Sequence, residues 1–219
     1  MSIVFLTLLI ILFINSFAFI LHKIKKSRLD KKKIDRRNRF MENYYYTIFR
    51  NLLILSFIII CIFTINISNF NLSTNIFYIC IDTSFVLLIN DTWFYWLHRL
   101  FHQVKYLRRH IHGEHHYSIE PLPLDYIYAH PLEIVFGIVG MIIPLYLKSI
   151  NLYSYLFASI LRNIHEIEIH TNKNGRSIIP FFNSPLKHYI HHASSRNCNY
   201  ASMFPFWDNL FHTNYFETS

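Results

Sequence analysis

The chain has 219 residues, a length that suits one domain with a sizeable core and hardly two. It is 53% hydrophobic and carries a formal charge of +8 at pH 7, which by itself would suit a nucleic-acid binder. Here, however, the basic residues alternate with long apolar runs, so we predict a membrane protein with no nucleic-acid partner. The three cysteines are too few and too scattered for a disulfide framework.

The apolar runs predict the membrane helices. Ile3–Leu21 is long enough to cross a bilayer, which takes about 20 residues. No basic residue precedes it and no small-residue cleavage site follows, so we expect a retained anchor and not a cleaved signal peptide. Ile48–Ile67 and Ile76–Leu97 predict two more spans. Leu132–Leu147 and Leu152–Ile164 are shorter and lie close together, which predicts a hairpin that need not cross the bilayer fully.

The distribution of positive charge predicts the topology. Ten lysine and arginine residues lie between His22 and Phe40, whereas the loop Asn66–Asn75 has none. Since cytosolic loops are enriched in these residues, we expect the basic segment in the cytosol and the N-terminus in the lumen. Counting spans then places the polar stretches after His98 on the cytosolic side, with the tip of the hairpin as the exception.

The predicted fold is therefore an all-α, multi-pass membrane protein with about four to five transmembrane or re-entrant helices and a cytosolic helical cap. We predict one domain over residues 1–219. Residues 1–75 would supply anchor helices and a basic cytosolic loop, and residues 76–219 the catalytic region.

Histidine is concentrated in the second half, where 13 of the 14 histidines lie at or after residue 98. They include three patches with helical spacing: His98-x3-His102, His112-x2-His115-His116 and His188-x2-His191-His192. Such spacing places imidazoles on one face within about one helical turn. Eight imidazoles are too many for one four-coordinate zinc, so the pattern indicates two metal ions that share a site.

The histidine patches do not match two common types of metal site, a metalloprotease zinc site and a bis-histidine haem. The string His112-Gly113-Glu114-His115-His116 does not fit the H-E-x-x-H motif of metalloproteases, and a bis-histidine haem would leave most of the cluster unexplained. Nitrogen ligands favour iron, copper or zinc over magnesium or calcium. Iron with dioxygen can attack an unactivated C–H bond of a lipid, a chemistry that suits a site at a membrane surface. His22, His110 and His212 match no spacing and are interpreted as surface or core residues.

The string Asp91–His102, followed by His112-x2-His115-His116, resembles the fatty acid hydroxylase/sterol desaturase superfamily. Further strings are similar to its C-4 methylsterol monooxygenase branch: Tyr128–Glu133, Leu161-Arg162 with Glu168 and His170, and Asn199–Ser202 before Trp207-Asp208. The resemblance extends from about residue 90 to residue 213.

The resemblance implies an O2-dependent monooxygenase with a non-haem di-iron centre in the endoplasmic reticulum membrane, facing the cytosol. It implies electrons from cytochrome b5 and an NAD(P)H reductase, and successive hydroxylations of a sterol C-4 methyl group. By position, the implied catalytic metal ligands are nine histidines: His98, His102, His112, His115, His116, His170, His188, His191 and His192. His165 stays open as a tenth. His130 could be a ligand or a helix-start residue, and we favour the second.

Several carboxylates are candidates to orient the ligands, because ligating imidazoles usually donate their other N–H to an acceptor. Asp91, two helical turns before His98 on the same face, is the strongest candidate. Weaker ones are Glu114, Glu168 and Asp208. Glu133 is expected only to hold a helix in place, and Asp82 is assigned no role.

Other functions remain open at this point. The same centre would serve a fatty-acyl or sphingolipid hydroxylase or a sterol desaturase. From a different class, the chain could be a catalytically inactive membrane scaffold that keeps a metal-filled cluster.

Overall fold

The computed structural model describes residues 3–29, 31–41, 43–171, 175–193 and 197–215, which are mostly helical. In chain order the elements are α1 (Ile3–Ser27), α2 (Lys31–Phe40), α3 (Tyr44–Ile65), β1 (Phe70–Asn71), α4 (Ile76–Gln103), α5 (Lys105–Leu107), α6 (Gly113–His115), α7 (Pro131–Leu147), β2 (Ile150–Asn151), α8 (Leu152–Ile169), α9 (Pro185–Ala193) and α10 (Phe206–Leu210). A π-helical turn, Arg108–His112, joins α5 to α6, and 3-10 turns cover Ile67–Asn69 and Pro123–Tyr126. β1 and β2 form a short parallel pair, a small departure from the predicted all-α fold.

Three helices are long and apolar enough to cross a membrane, within the part of the chain that the structure describes: Thr7–Ser27 of α1, all of α3 and all of α4. Their outer faces carry large exposed apolar side chains, such as Phe13 at 75% and Phe57 at 68% exposure, as expected where lipid replaces water. α7 is apolar but has only 17 residues. The count of four to five spans therefore stays a prediction.

The basic segment is helical where we expected a loop. α1 continues to Ser27, and α2 covers Lys31–Phe40. The physical reason is that lysine and arginine are good helix formers and that neither glycine nor proline interrupts this stretch.

α4 is the central helix and packs against both α7 and α8. Its N-terminus is capped by Asn75, whose side chain accepts a hydrogen bond from the backbone N–H of Phe77 over 2.9 Å. α7 approaches it closely at Gly140, where an added Cβ would lie 3.0 Å from Asn90 Oδ1. α4 also runs past the predicted end at Leu97, so that it carries the first histidine patch within a continuous helix.

The turn between α7 and α8 is tied to α4 by Asp82, to which the sequence assigned no role. Lys148 Nζ lies 2.5 Å from Asp82 Oδ1, and the backbone N–H of Asn151 donates to Asp82 Oδ2 over 2.7 Å. Asn151 then caps α8 by accepting from the backbone N–H of Ser154. A buried carboxylate in an apolar helix is expected to have such partners.

Most of the apolar packing lies in the two larger of three clusters among the described residues. One joins α3, α4, α7 and α8 around Val86 and Leu145, and the other joins α1, α3, α8 and the turn Pro123–Tyr126 around Ala18 and Ile127. A cavity lies between these helices and ends at the histidines.

Candidate metal centre

All nine histidines of the predicted ligand set converge, and they form two groups. Within each group the nitrogen atoms that could bind a metal lie within 4.8 Å of one another. Group A comprises His98, His102, His112, His116 and His191, and group B comprises His115, His170, His188 and His192.

Each repeated triplet is divided between the groups. In the second patch, the first and last histidines belong to group A and His115 to group B; in the third patch, the first and last belong to group B and His191 to group A. Residues four apart on a helix lie nearly above each other, whereas the residue three along is offset to the other side. One helical turn can thus serve two adjacent metal positions.

Histidines far apart in the sequence are direct neighbours here. The ring centroids of His98 and His191 lie 4.5 Å apart, and those of His116 and His192 lie 4.6 Å apart. α4, the α5–α6 segment and α9 therefore place their patches around one centre, with the two groups in contact.

Burial holds these imidazoles in the neutral form that binds metals. Burial, followed by the effect of neighbouring imidazoles, lowers the pKa of His188 and His192 well below the ordinary value. Burial likewise lowers the pKa of His112 and His191 well below that value. The charged form is disfavoured in each case, so a nitrogen lone pair stays available at neutral pH.

Main-chain carbonyl groups fix the orientation of four of the rings. The Nδ1 atoms of His98 and His191 lie 2.8 Å from the carbonyl oxygen of Tyr200 and 2.7 Å from that of Cys198. The Nδ1 atoms of His170 and His115 make the same contact with Glu166 and Tyr128. Because a carbonyl oxygen only accepts, we assign the proton to Nδ1, which leaves the Nε2 lone pair toward the cluster.

The nitrogen lone pairs of these histidines are suited to bind cations. His98 Nε2 and His112 Nε2 lie 3.1 Å apart, and the Nδ1 atoms of both rings donate elsewhere, so the two Nε2 lone pairs face each other. His191 Nε2 is buried without a hydrogen-bond partner among the described residues. A cation shared by these atoms would turn a repulsive arrangement into a favourable one. Imidazole ligands suit iron, copper and zinc.

The carboxylate that contacts the cluster is Glu133, which the sequence assigned only to helix support. Its Oε1 lies 2.9 Å from His112 Nδ1. The favoured candidate, Asp91, was wrong: its carboxylate accepts hydrogen bonds from the backbone N–H groups of Met203 and Phe204. Helical spacing placed Asp91 on the face of His98, but it could not show that a C-terminal segment occupies that face. A glutamate two residues after the His-Pro pair was the available signal for Glu133.

The weaker carboxylate candidates bind other partners. Glu168 accepts from Ser177 and from the backbone of Ile178. Asp208 accepts from the backbone N–H groups of Tyr200 and Ala201, and thereby holds the carbonyl that orients His98. Glu114 lies 3.9 Å from Arg50.

The remaining histidines lie outside both groups. His165 lies between the carbonyl of Ser202 and Glu168. His130 caps α7 by accepting from the backbone N–H of Leu132, which confirms its interpretation as a helix-start residue. His22 is buried against Tyr44, while His110 and His212 are both exposed.

An apolar cavity reaches the centre from the membrane helices. Its empty volume, including the open mouth, is about 1380 Å³. The walls come mainly from α1, α3, α7 and α8, and the inner end includes His98, His112, His115, His170 and His188. Its mainly apolar lining suits an apolar ligand.

A known protein family matches the part of the chain that carries the nine histidines. The fatty acid hydroxylase family profile matches residues 83–213. Methylsterol monooxygenase 1 of Rattus norvegicus is 34% identical over 58% of this chain and 44% of its own. A very-long-chain aldehyde decarbonylase of Oryza sativa is 32% identical over 59% of this chain and 50% of its own. A Delta(7)-sterol 5(6)-desaturase of Gibberella zeae is 31% identical over 60% and 41%.

The matched segment thus spans about half or less of the length of these relatives. No solved structure matches the chain.

Proposed function

This chain belongs to the fatty acid hydroxylase family, and we propose that it is a membrane-bound, non-haem di-iron oxygenase that hydroxylates an unactivated C–H bond of a lipid. The proposed position is the C-4 methyl group of a sterol. The observation that carries the proposal is the pair of adjacent histidine groups at the inner end of an apolar cavity.

We propose that group A and group B each hold one iron ion through the nine histidines. Bound iron would supply the redox chemistry by which dioxygen oxidises a C–H bond. The chain's own residues ligate and orient: the carbonyls of Tyr200, Cys198 and Glu166 fix ring orientation, and Glu133 fixes His112. The apolar cavity would align the lipid and exclude water from the reacting groups.

The proposed reaction balances with an external reductant. A methyl group, O2, two electrons and two protons give a primary alcohol and water. Two further rounds of oxidation would give the aldehyde and the carboxylic acid. The electrons are proposed to come from NAD(P)H through a reductase and cytochrome b5.

The proposed location is the endoplasmic reticulum membrane, with the metal centre toward the cytosol. It is supported by the basic helix α2 and the uncharged loop Asn66–Asn75. The single-domain organisation over residues 1–219 stays a prediction.

A second lipid oxidation is favoured by a specific observation. A sterol desaturase and an aldehyde decarbonylase match at nearly the same identity as a methylsterol monooxygenase. The same centre could therefore desaturate a sterol or act on an acyl chain. The alternative from a different class is a catalytically inactive scaffold.

The test is product analysis in a host that lacks its own C-4 demethylation and that co-expresses cytochrome b5. The wild type is expected to deplete 4-methyl sterols, and His191→Ala to abolish that loss. His110→Ala is the matched control, because it removes an exposed imidazole outside both groups and should act like the wild type.

Each alternative gives a different result. Hydroxylated acyl chains or a new sterol double bond, lost in His191→Ala, would replace the substrate assignment and keep the metal centre. Anaerobic iron reconstitution followed by no O2-dependent product from any lipid would support the scaffold. Equal products from wild type and His191→Ala would refute the assigned centre.

A further inference from the structure

Most of the exposed wall of the cavity is apolar, but away from the histidines it also carries several polar side chains. Two of them, Ser159 and Asn163, are satisfied within their own helix, because they donate to the carbonyls of Tyr155 and Ser159 over 2.8 Å each. Such side chains do not need a hydrogen bond from a ligand.

A second set of polar groups is arranged differently. Asn15 of α1, Tyr126 of the 3-10 turn, and Arg162 and Glu166 of α8 all line the cavity. They come from three elements that pack together, and the charges of Arg162 and Glu166 both act on the Tyr126 hydroxyl. We call these four residues the polar patch.

The polar patch adjoins group B. The ring centroids of Tyr126 and His170 lie 6.4 Å apart. On α8, Glu166 is one turn before His170, and its carbonyl accepts from the Nδ1 of that imidazole over 2.7 Å. Since a helix rises about 1.5 Å per residue, Glu166 and Arg162 lie roughly 6 and 12 Å before His170 along the axis of α8.

The hydrogen-bonding capacity of the patch is mixed. The Tyr126 hydroxyl donates to Asn15 Oδ1 over 2.8 Å, so its lone pairs are left to accept. Glu166 receives the Ser202 hydroxyl on Oε1, which leaves Oε2 as an acceptor. Arg162 is a donor that makes no hydrogen bond or ion pair with another described residue.

This mixture of hydrogen-bond donors and acceptors would favour some polar groups of a lipid over others. A hydroxyl both donates and accepts, so it can satisfy an acceptor and a donor of the patch at once. A carboxylate could pair with Arg162, but it would also face Glu166, a like charge. A pure hydrocarbon would leave the patch desolvated without a partner, which is unfavourable.

We infer that the polar patch of Asn15, Tyr126, Arg162 and Glu166 binds one hydroxyl group of an otherwise apolar lipid, and that the oxidised carbon lies within a few bonds of it. This inference rests on the proposed function for the assumption that a lipid occupies the cavity. A 4,4-dimethylsterol has this chemistry, because its 3-hydroxyl carbon is bonded to the carbon that bears the methyl groups.

The test is equilibrium binding to the full chain in nanodiscs, a measurement that does not require turnover. The probes are a radiolabelled 4,4-dimethylsterol with its 3-methyl ether as competitor, and a long-chain primary alcohol with its methyl ether. The ether keeps the apolar body but cannot donate. The wild type is expected to prefer alcohol over ether by about 3- to 10-fold, the value of one ordinary hydrogen bond.

Tyr126→Phe is expected to abolish that preference, and Asn15→Ala to weaken it, since Asn15 orients the hydroxyl of Tyr126. Asn15→Ala also keeps the test decisive if Tyr126→Phe fails to fold. The matched control is Tyr106→Phe, which removes a hydroxyl from an exposed ring outside the cavity lining and should keep the preference.

The outcomes separate the inference from the proposed function. If neither sterol form binds but the long-chain alcohol is preferred and Tyr126→Phe abolishes that preference, the sterol assignment fails and the hydroxyl site stands. Equal preference in wild type, Tyr126→Phe and Asn15→Ala overturns the hydroxyl site, whatever lipid is oxidised. Tighter binding of a fatty acid than of its alcohol, or no binding of any probe, also overturns it.

Discussion

Glu133 Oε1 lies 2.9 Å from His112 Nδ1, and this contact orients the imidazole that joins group A together. The Nε2 of the same ring lies 2.9 Å from those of His102 and His116 and 3.1 Å from that of His98. A change at Glu133 therefore affects the ring of His112 and, through it, the three imidazoles that the ring contacts.

Glu133→Ala is expected to weaken metal binding in group A by about 10- to 100-fold, the usual effect of removing a carboxylate that supports a metal-bound imidazole. Glu133→Gln should weaken it less, because the amide oxygen still accepts from Nδ1. Metal titration of the apo protein measures both. Wild-type affinity in the alanine variant would contradict the role assigned to this contact.

The division into two groups predicts separable losses of metal. His102→Ala should remove the ion of group A and His188→Ala that of group B, so each lowers bound iron from two ions per chain to about one. The double variant should bind none. Iron content after reconstitution is the measurement, with His110→Ala as the control. Loss of both ions from either single variant would mean that the groups form one inseparable site.

Asp91 is expected to stabilise the C-terminal segment. Asp91→Ala leaves the backbone N–H groups of Met203 and Phe204 without their acceptor, at about 1–3 kcal/mol for the buried donor of Met203 and less for the half-buried donor of Phe204. Asp91→Asn should lose less, because one oxygen remains. Thermal unfolding in detergent measures the change. Thr92→Ala is the matched control, since Thr92 is half-buried and its hydroxyl donates to the Leu88 carbonyl of its own helix. An equal melting temperature for Asp91→Ala and the control would refute this role.

A buried ion pair joins the basic helix to the segment before α7. Arg37 pairs with Asp125, which also accepts from Ser118 and from the backbone N–H of Leu122. Arg37→Met would leave a buried carboxylate uncompensated and should lower the free energy of unfolding by about 3–5 kcal/mol. The double variant Arg37→Met/Asp125→Leu should recover part of that loss. No recovery would argue against a direct pairing.

The same pair predicts a pH dependence. Burial alone would raise the pKa of Asp125, but the Arg37 guanidinium and the hydrogen bonds lower it below its usual range. A lowered folded-state pKa adds stability above the unfolded-state value of about 3.9, and that stability is lost as the pH falls through the folded-state pKa. The stability difference between wild type and Asp125→Asn should therefore be constant above about pH 5 and shrink below about pH 4. A difference that instead grows on acidification would contradict the assignment.

Local sequence patterns gave correct predictions for features that depend on a single helix. The spacing of His98 and His102 predicted two imidazoles on one face, and the His-Pro pair predicted the start of α7. They failed where a partner came from elsewhere in the chain. Asp91 had the right helical face but binds a backbone more than a hundred residues away, and the basic segment formed a helix that Asp125 holds in place.

The sequence by itself determined the apolar helices, the histidine patches and the family, because these depend on composition and on spacings of three and four residues. Only the tertiary structure decided that each triplet is shared between two groups, that Glu133 and not Asp91 supports an imidazole, and that a polar patch adjoins His170. Those relationships join residues from different helices, and no local period encodes which faces of separate helices will meet.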